Sequence, residues 1–287
     1  MQPAIELTGV CKRYEKFALD QLCLTVPQGS VVGFIGENGA GKTTTIKAIC
    51  RLIHLDAGQV RILGEDVTAN ERRARQHLGV MLDGSFFSSR YRAREIDTIL
   101  SSIHPRWDHA MFDALLESFE LPRDQAIKTY SRGMSVKLAQ ATALSHHPSI
   151  LLLDEPTSGL DPIARAEVLE ILYRFMQDET HSILLSSHIT TDLEKIADYI
   201  VMIHKGKKCL DCPKDTLLDT HGLLQGSQQA LAAVDPALIV AQRHGAFGSE
   251  ALVRDRAAVR RQLPQGAALE RCNLEQVMEF YVEEQGR

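Results

Sequence analysis

Short apolar runs and helical faces take turns along this chain. β-like runs lie at Ile5–Val10, Leu22–Val26 and Val31–Ile35. The third, VVGFIG, is apolar nearly throughout, the pattern of a strand covered on both faces. It leads into KTTTIKAICRL, where Ile46, Ile49 and Leu52 predict an amphipathic helix that begins near Lys42. Two further buried strands are predicted at Ile150–Leu153 and in SILLSS. Between 84 and 140 the pattern is helical: Phe112, Leu115, Leu116 and Phe119 share a face, and Asp108 is placed as N-cap. Val168, Leu172 and Phe175 mark a later helix. After Asp215 come the short runs ALIVAQ and EALVRD and a closing helix with Leu274, Val277 and Tyr281 along one side.

Composition sharpens this α/β picture. With 287 residues, 44% of them apolar, the chain can bury one large core or two smaller ones. The expectation is a main domain over 1–215 and a small α/β appendage over 216–287. A formal net charge of −5 supplies no basic field, which counts against nucleic acid as a partner. Nowhere do about 18 apolar residues run together, and MQPAIELTGV has no basic stretch followed by an apolar core, so the chain is expected to stay in the cytoplasm. Of the six cysteines, only Cys209 and Cys212 form a Cys-x-x-Cys pair. With no second pair for a zinc ribbon, and with KKCLDCP reading as a strand running into a turn, they are expected to be isolated reduced thiols.

The chemistry is concentrated after the third strand. GENGAGKT places Gly36, four residues, Gly41, Lys42 and Thr43 in the phosphate-loop pattern, with Asn38 and Gly39 inside it and Thr44 just beyond. Glycines let backbone N–H groups turn toward a phosphate, and the helix N-terminus adds partial positive charge. Lys42 would reach the β- and γ-phosphates and the Thr43 hydroxyl would bind Mg²⁺. The run ILLLDE ends in two adjacent carboxylates, Asp154 and Glu155. In a phosphate-loop fold this strand is expected beside the one that carries the loop. Asp154 would then face Mg²⁺ and Glu155 would polarise an attacking water. Two buried acids without such partners would be costly.

With these residues in view, Ile5 to Asp215 resembles the nucleotide-binding subunit of an ATP-binding-cassette (ABC) transporter. GENGAGKTT resembles the Walker A loop, ILLLDE Walker B, YSRGMS the family signature, SGLD the D-loop and LLSSHI the switch histidine. The resemblance implies a P-loop NTPase (RecA-like) core with an antiparallel β subdomain and a helical subdomain, followed by the appendage. It implies ATP and Mg²⁺, with Glu155, His188 and Lys42 catalytic and Tyr14 stacked on adenine. It further implies that Ser131, Gly133 and Asp161 meet nucleotide or subunit across a dimer of two ATPase subunits, identical or mixed. Read alone, Ser131 and Asp161 are ordinary helix N-caps, Asp161 with Pro162 in the first turn.

Two departures alter the pattern. Asp83 stands where many members carry the glutamine that touches Mg²⁺ and the membrane partner, and a carboxylate can still face that ion. Arg132 and Met134 replace residues common in the signature, which would suit a non-identical partner. Since the chain has no span of its own, the resemblance implies a separate transmembrane permease and a peripheral location on the cytoplasmic face of the cell membrane. HPRWDHAMFDALLESFELP resembles exporters of antibiotics and peptides. The competing reading, a soluble ABC ATPase acting on ribosome or DNA, lacks the second cassette or basic arm usual in such proteins.

Overall fold

The computed structural model describes the backbone of residues 2–82, 87–245 and 248–286. Three sheets organise them. The first is antiparallel, in the order β2-β1-β4-β5, from β1 (Ile5–Arg13), β2 (Ala18–Val26), β4 (Ala57–Ile62) and β5 (Glu65–Asp66). The second has the order β10-β9-β3-β8-β7-β6, built from β3 (Val31–Ile35), β6 (Leu78–Met81), β7 (Ile150–Asp154), β8 (Ser182–Ser186), β9 (Tyr199–His204) and β10 (Lys207–Pro213). It is parallel except for the edge strand β10. β3, β7 and β8 are buried along their whole lengths, as strands covered on both faces must be.

The helix α1 (Lys42–Ile49) follows β3 and buries Ile46 and Ile49 in the cluster beneath the first sheet. Leu52 does not join them. The helix ends at Ile49, Arg51 adopts a left-handed φ of 54°, and the turned chain leaves Leu52 exposed. After α2 (Glu71–Gln76), a helical region is formed by α3 (Ala93–Ile103), α4 (His109–Ser118) and α5 (Arg132–Leu144) around Ile96, Phe112, Leu116 and Leu138. Asp108 caps α4 by accepting from the Met111 N–H. Asp97, buried on α3, accepts from Trp107 Nε1 at 2.8 Å and Arg123 Nη2 at 3.1 Å, so a single carboxylate ties the start of α4 to the loop beyond it. α6 (Pro162–Phe175) and α7 (Thr190–Ile196) return the chain to β8 and β9.

The third sheet is antiparallel, β12-β13-β11-β14, from β11 (Gly222–Gly226), β12 (Ile239–Gly245), β13 (Gly248–Val253) and β14 (Ala268–Arg271). The helices α8 (Lys214–Thr220), α9 (Gln228–Ala232), α10 (Arg256–Arg261) and α11 (Leu274–Gly286) accompany it. Leu274, Val277, Phe280 and Tyr281 of α11 share one hydrophobic cluster with Leu193 and Ile196 of α7 and with Ile200 and Met202 of β9. Burial pushes the Tyr281 hydroxyl up to about 12, and His221 lies 3.1 Å from it. All six cysteines are free, and Cys209 in β10 is pushed up to about 11 by burial, which leaves it a protonated thiol.

One expectation about strand order is corrected. β7 does not lie beside β3: β8 pairs with both, Phe34 and Asp154 each being opposite Ser186. An apolar run states that a strand is covered but not which strand is its neighbour, and the ILL within SILLS is as apolar as ILLL.

Candidate functional site

The site lies at the C-terminal ends of β3, β7 and β8, where open parallel sheets collect their ligand-contacting residues. Two glycines shape the loop. A Cβ on Gly36 would stand 2.4 Å from the Ile203 carbonyl oxygen, so only glycine lets the loop leave β3 against β9. Gly41, the N-cap of α1, has φ 119°, a region costly for other residues. Asn38 and Gly39 form the exposed tip of the loop, and Thr44 is half-buried on α1. Lys42 is buried and donates through Nζ to the Gly36 carbonyl at 2.7 Å and the Glu37 carbonyl at 3.3 Å.

α1 lies across the sheet and reaches the acids on β7 despite the strand between. The Thr43 hydroxyl donates to Asp154 Oδ2 at 2.6 Å, and the Ser186 hydroxyl donates to Asp154 Oδ1 at 2.6 Å. Glu155 follows with φ 52°, a left-handed conformation for a residue with a full side chain. Its N–H donates to the Ser186 carbonyl at 3.0 Å. Its Oε2 accepts from the His188 N–H at 3.3 Å and lies 2.6 Å from His188 Nδ1. Its Oε1 is buried without a hydrogen bond, 3.5 Å from Lys42 Nζ. Lys42, Thr43, Asp154, Glu155 and His188 are thus joined through Ser186, which donates to Asp154 and accepts from the Glu155 N–H, into one network, although the chain separates them by up to 146 residues.

Other predicted residues lie outside that network. Tyr14 is 47% exposed, with its ring centroid 6.5 Å from that of Phe17 and Lys12 Nζ 5.6 Å over it. Phe17 is the closer to the loop: a Cβ on Gly41 would meet its Cζ at 2.8 Å. Ser131 caps α5, accepting from the Met134 N–H at 3.2 Å, and Asp161 caps α6 through the N–H groups of Ile163 and Ala164. The Ala164 N–H, with that of Ile163, holds the Asp161 carboxyl below its ordinary range. Among the described residues, no hydrogen bond joins Ser131, Gly133 or Asp161 to Lys42 or Thr43. They form a patch of their own, Ser131 and Asp161 exposed and Gly133 half-buried, in which the Arg132 guanidinium lies against Gly159 and α5 approaches Ala164 of α6. A cavity of about 280 Å³ lined by Arg132, Ser158, Asp154 and Glu155 connects that patch to the carboxylates. Asp83 lies outside the described residues.

Sequence reasoning missed Ser186, Phe17, Thr157 and Asp192. Only Phe17, an aromatic three residues after Tyr14, carried a local signal. Hydroxyl and carboxylate oxygens are the hard donors that Mg²⁺ takes, and the buried, unbonded Glu155 Oε1 is the kind of atom a polarised water would satisfy. Among the described residues, no group of three or more His, Cys, Asp or Glu side chains could hold a metal on its own.

A glycine loop and lysine closed on a carboxylate pair at the end of a buried parallel sheet define a P-loop nucleoside-triphosphatase. The ABC transporter family model matches residues 19–158. The chain is 34% identical to the bacitracin transport ATP-binding protein BcrA of Bacillus licheniformis, over 76% of this chain and 72% of that protein. It is also 34% identical to the daunorubicin resistance ATP-binding protein DrrA3 of Streptomyces coeruleorubidus, over 75% and 69%. A solved structure of the ATP-binding subunit of an ABC transporter superposes with a TM-score of 0.69 at 25% identity, covering 75% of this chain and 92% of that one. The chain belongs to the ATP-binding subunits of ABC transporters, of the exporter-like kind. It is an ATPase that powers transport, and such subunits work with a membrane permease. Among the described residues, no helix is long and apolar enough to cross a membrane.

Proposed function

We propose that this chain drives export of a drug-, peptide- or lipid-like substrate through a separate permease, from the cytoplasmic face of the cell membrane, as one of two ATPase subunits that close around two nucleotides. The names of its relatives support the substrate class: they refer to bacitracin transport, daunorubicin resistance and Nod factor export. One observation carries the ATPase assignment, the Glu155 carboxylate set between Lys42 and His188. Residues 1–215 form the ATPase unit in this reading, and 216–287 an accessory unit.

Loop amides from Gly36 to Gly41, with Asn38 and Gly39 at the tip and Thr44 beyond, wrap the phosphates, and Lys42 exchanges its carbonyl partners for β- and γ-phosphate oxygens. Tyr14 covers the adenine. Thr43 and Asp154, with Asp83, would hold Mg²⁺, which neutralises phosphate charge when bound. Glu155 accepts a proton from the attacking water. With Glu155 ionised, the His188 Nδ1–H donates to it, and Nε2 is left to face water and γ-phosphate. Purification from membranes should bring the permease along, and ATP hydrolysis should require Mg²⁺. Equal turnover in excess chelator would refute the metal assignment.

Ser131, Gly133 and Asp161 serve the nucleotide of the opposite subunit. Gly133 supports this, because nothing among the described residues requires a glycine there. Among the described residues, and apart from its own helix backbone and chain neighbours, an added Cβ would meet Ala164 Cβ and Ser131 Oγ, both at 3.8 Å. Gly133→Ala should therefore fold with unchanged or slightly raised stability, alanine being the better helix former by about 1 kcal/mol, yet lose most ATP hydrolysis. Full activity in that variant would mean that no second chain approaches this turn.

A further inference from the structure

We infer that Asp192 is a positioning residue for hydrolysis, whose buried carboxylate locks the loop after Glu155 to the segment that carries His188. This rests on the roles proposed for Glu155 and His188. Asp192 is 1% exposed on the first turn of α7, four residues beyond His188. Its Oδ2 accepts from the Thr157 hydroxyl at 2.7 Å, and its Oδ1 from Arg165 Nε at 2.6 Å. Thr157, itself 2% exposed, stands two residues after Glu155. Arg165 stands on the first turns of α6, four residues after its cap Asp161, and its Nη2 also donates to Thr191 on α7 at 2.7 Å.

Three segments that approach the reaction from different directions therefore meet on one anion. They are the loop from Glu155 to Asp161, the start of α6, and α7 with the turn before it. Carboxylate bonds of this kind are stronger than neutral ones and hold best when water is excluded. The consequence falls on Glu155. Its left-handed backbone is held on the β8 side by the Ser186 carbonyl and by His188, but its chain continues into a loop whose only deeply buried side-chain hydroxyl, that of Thr157, is tied to Asp192. Releasing that tie lets the Glu155–His188 pair shift relative to the bound phosphate. Lys42, Thr43 and Tyr14 make no bond to this cluster among the described residues, so binding of ATP is left alone.

Asp192→Asn tests this in the full chain, because an amide can accept from Thr157 or from Arg165 but must turn its NH₂ toward the other donor. Thr157→Val removes the hydroxyl while keeping shape, and Thr157→Ser restores it. For Asp192→Asn and Thr157→Val, kcat is expected to fall by about 10²-fold, the scale of an ångström-sized misplacement. KM for ATP and affinity for a fluorescent ATP analogue should stay within about twofold, and Thr157→Ser should be close to the parent. The double variant Asp192→Asn/Thr157→Val should be no slower than Asp192→Asn alone. The inference is overturned if kcat is retained in both single variants while Glu155→Gln is inactive, or if Thr157→Ser is as slow as Thr157→Val. Turnover by Glu155→Gln would instead overturn the reading of Glu155 itself.

Discussion

Glu155→Gln is expected to bind ATP with near-parental affinity and to hydrolyse it about 10² to 10⁴-fold more slowly, the usual share of a positioned general base. Binding should survive because the loop does not depend on this side chain. Lys42 keeps two carbonyl partners at 2.7 and 3.3 Å, and Thr43 keeps Asp154. Chemistry should fail because glutamine has the shape but neither the charge nor the basicity of the acid. Its NH₂ must face either the Lys42 ammonium, 3.5 Å from the present Oε1, or the His188 ring nitrogen, 2.6 Å from Oε2, and both positions now suit an anion. The φ of 52° is no harder for glutamine than for glutamate, so the variant should fold normally. Phosphate release, analogue binding and size-exclusion chromatography with ATP give the three readouts, the last showing accumulation of a closed dimer. Parental turnover would remove Glu155 from the mechanism.

What could be read from the sequence was whatever the chemistry keeps local. The phosphate loop is legible because one short segment supplies its glycines, lysine and hydroxyl between a strand and a helix, and the structure sets all of them in one turn at the end of β3. The caps at Asp108, Ser131 and Asp161 are legible for the same reason, each accepting from N–H groups two or three residues on. Long-range order was not. The insertion of β8 between β3 and β7 left no trace in the apolar runs, and Leu52 kept helix spacing beyond the point where Arg51 turns the chain. Asp97 and Asp192 look like ordinary helix acids in sequence. Their partners stand 26 and 35 residues away, and burial, which gives those bonds their strength, is visible only once the fold brings the partners together.

Ending the chain at Asp215 is expected to abolish soluble expression of the ATPase unit, although all its family motifs lie upstream of that point. The seam is apolar and continuous. Leu193 and Ile200 are fully buried, as are Leu274 and Val277 across from them, and Phe280 is 1% exposed. Burying an aliphatic or aromatic side chain contributes about 1.5–3 kcal/mol, and Leu274, Val277, Phe280 and Tyr281 share their burial between α7 and β9 on one side and β12 and β13 on the other, so their loss removes several kcal/mol from the ATPase unit. That is a large part of the stability of a domain, about 5–15 kcal/mol. The same cut bares the side of α7 that turns inward, next to Asp192, so any residual folded fraction should hydrolyse poorly as well. Phe280→Ala is the milder version. It empties the space under Arg243, whose Cζ lies 4.4 Å over the ring, and should lower stability by about 3–5 kcal/mol with ATP affinity unchanged below the melting transition. Thermal unfolding of both proteins decides the matter. A truncated chain that melts with the parent would show that the closing helix merely rests on the ATPase unit, whereas insolubility together with a lowered Tm for Phe280→Ala makes α11 part of the core that holds α7 and its carboxylate in place.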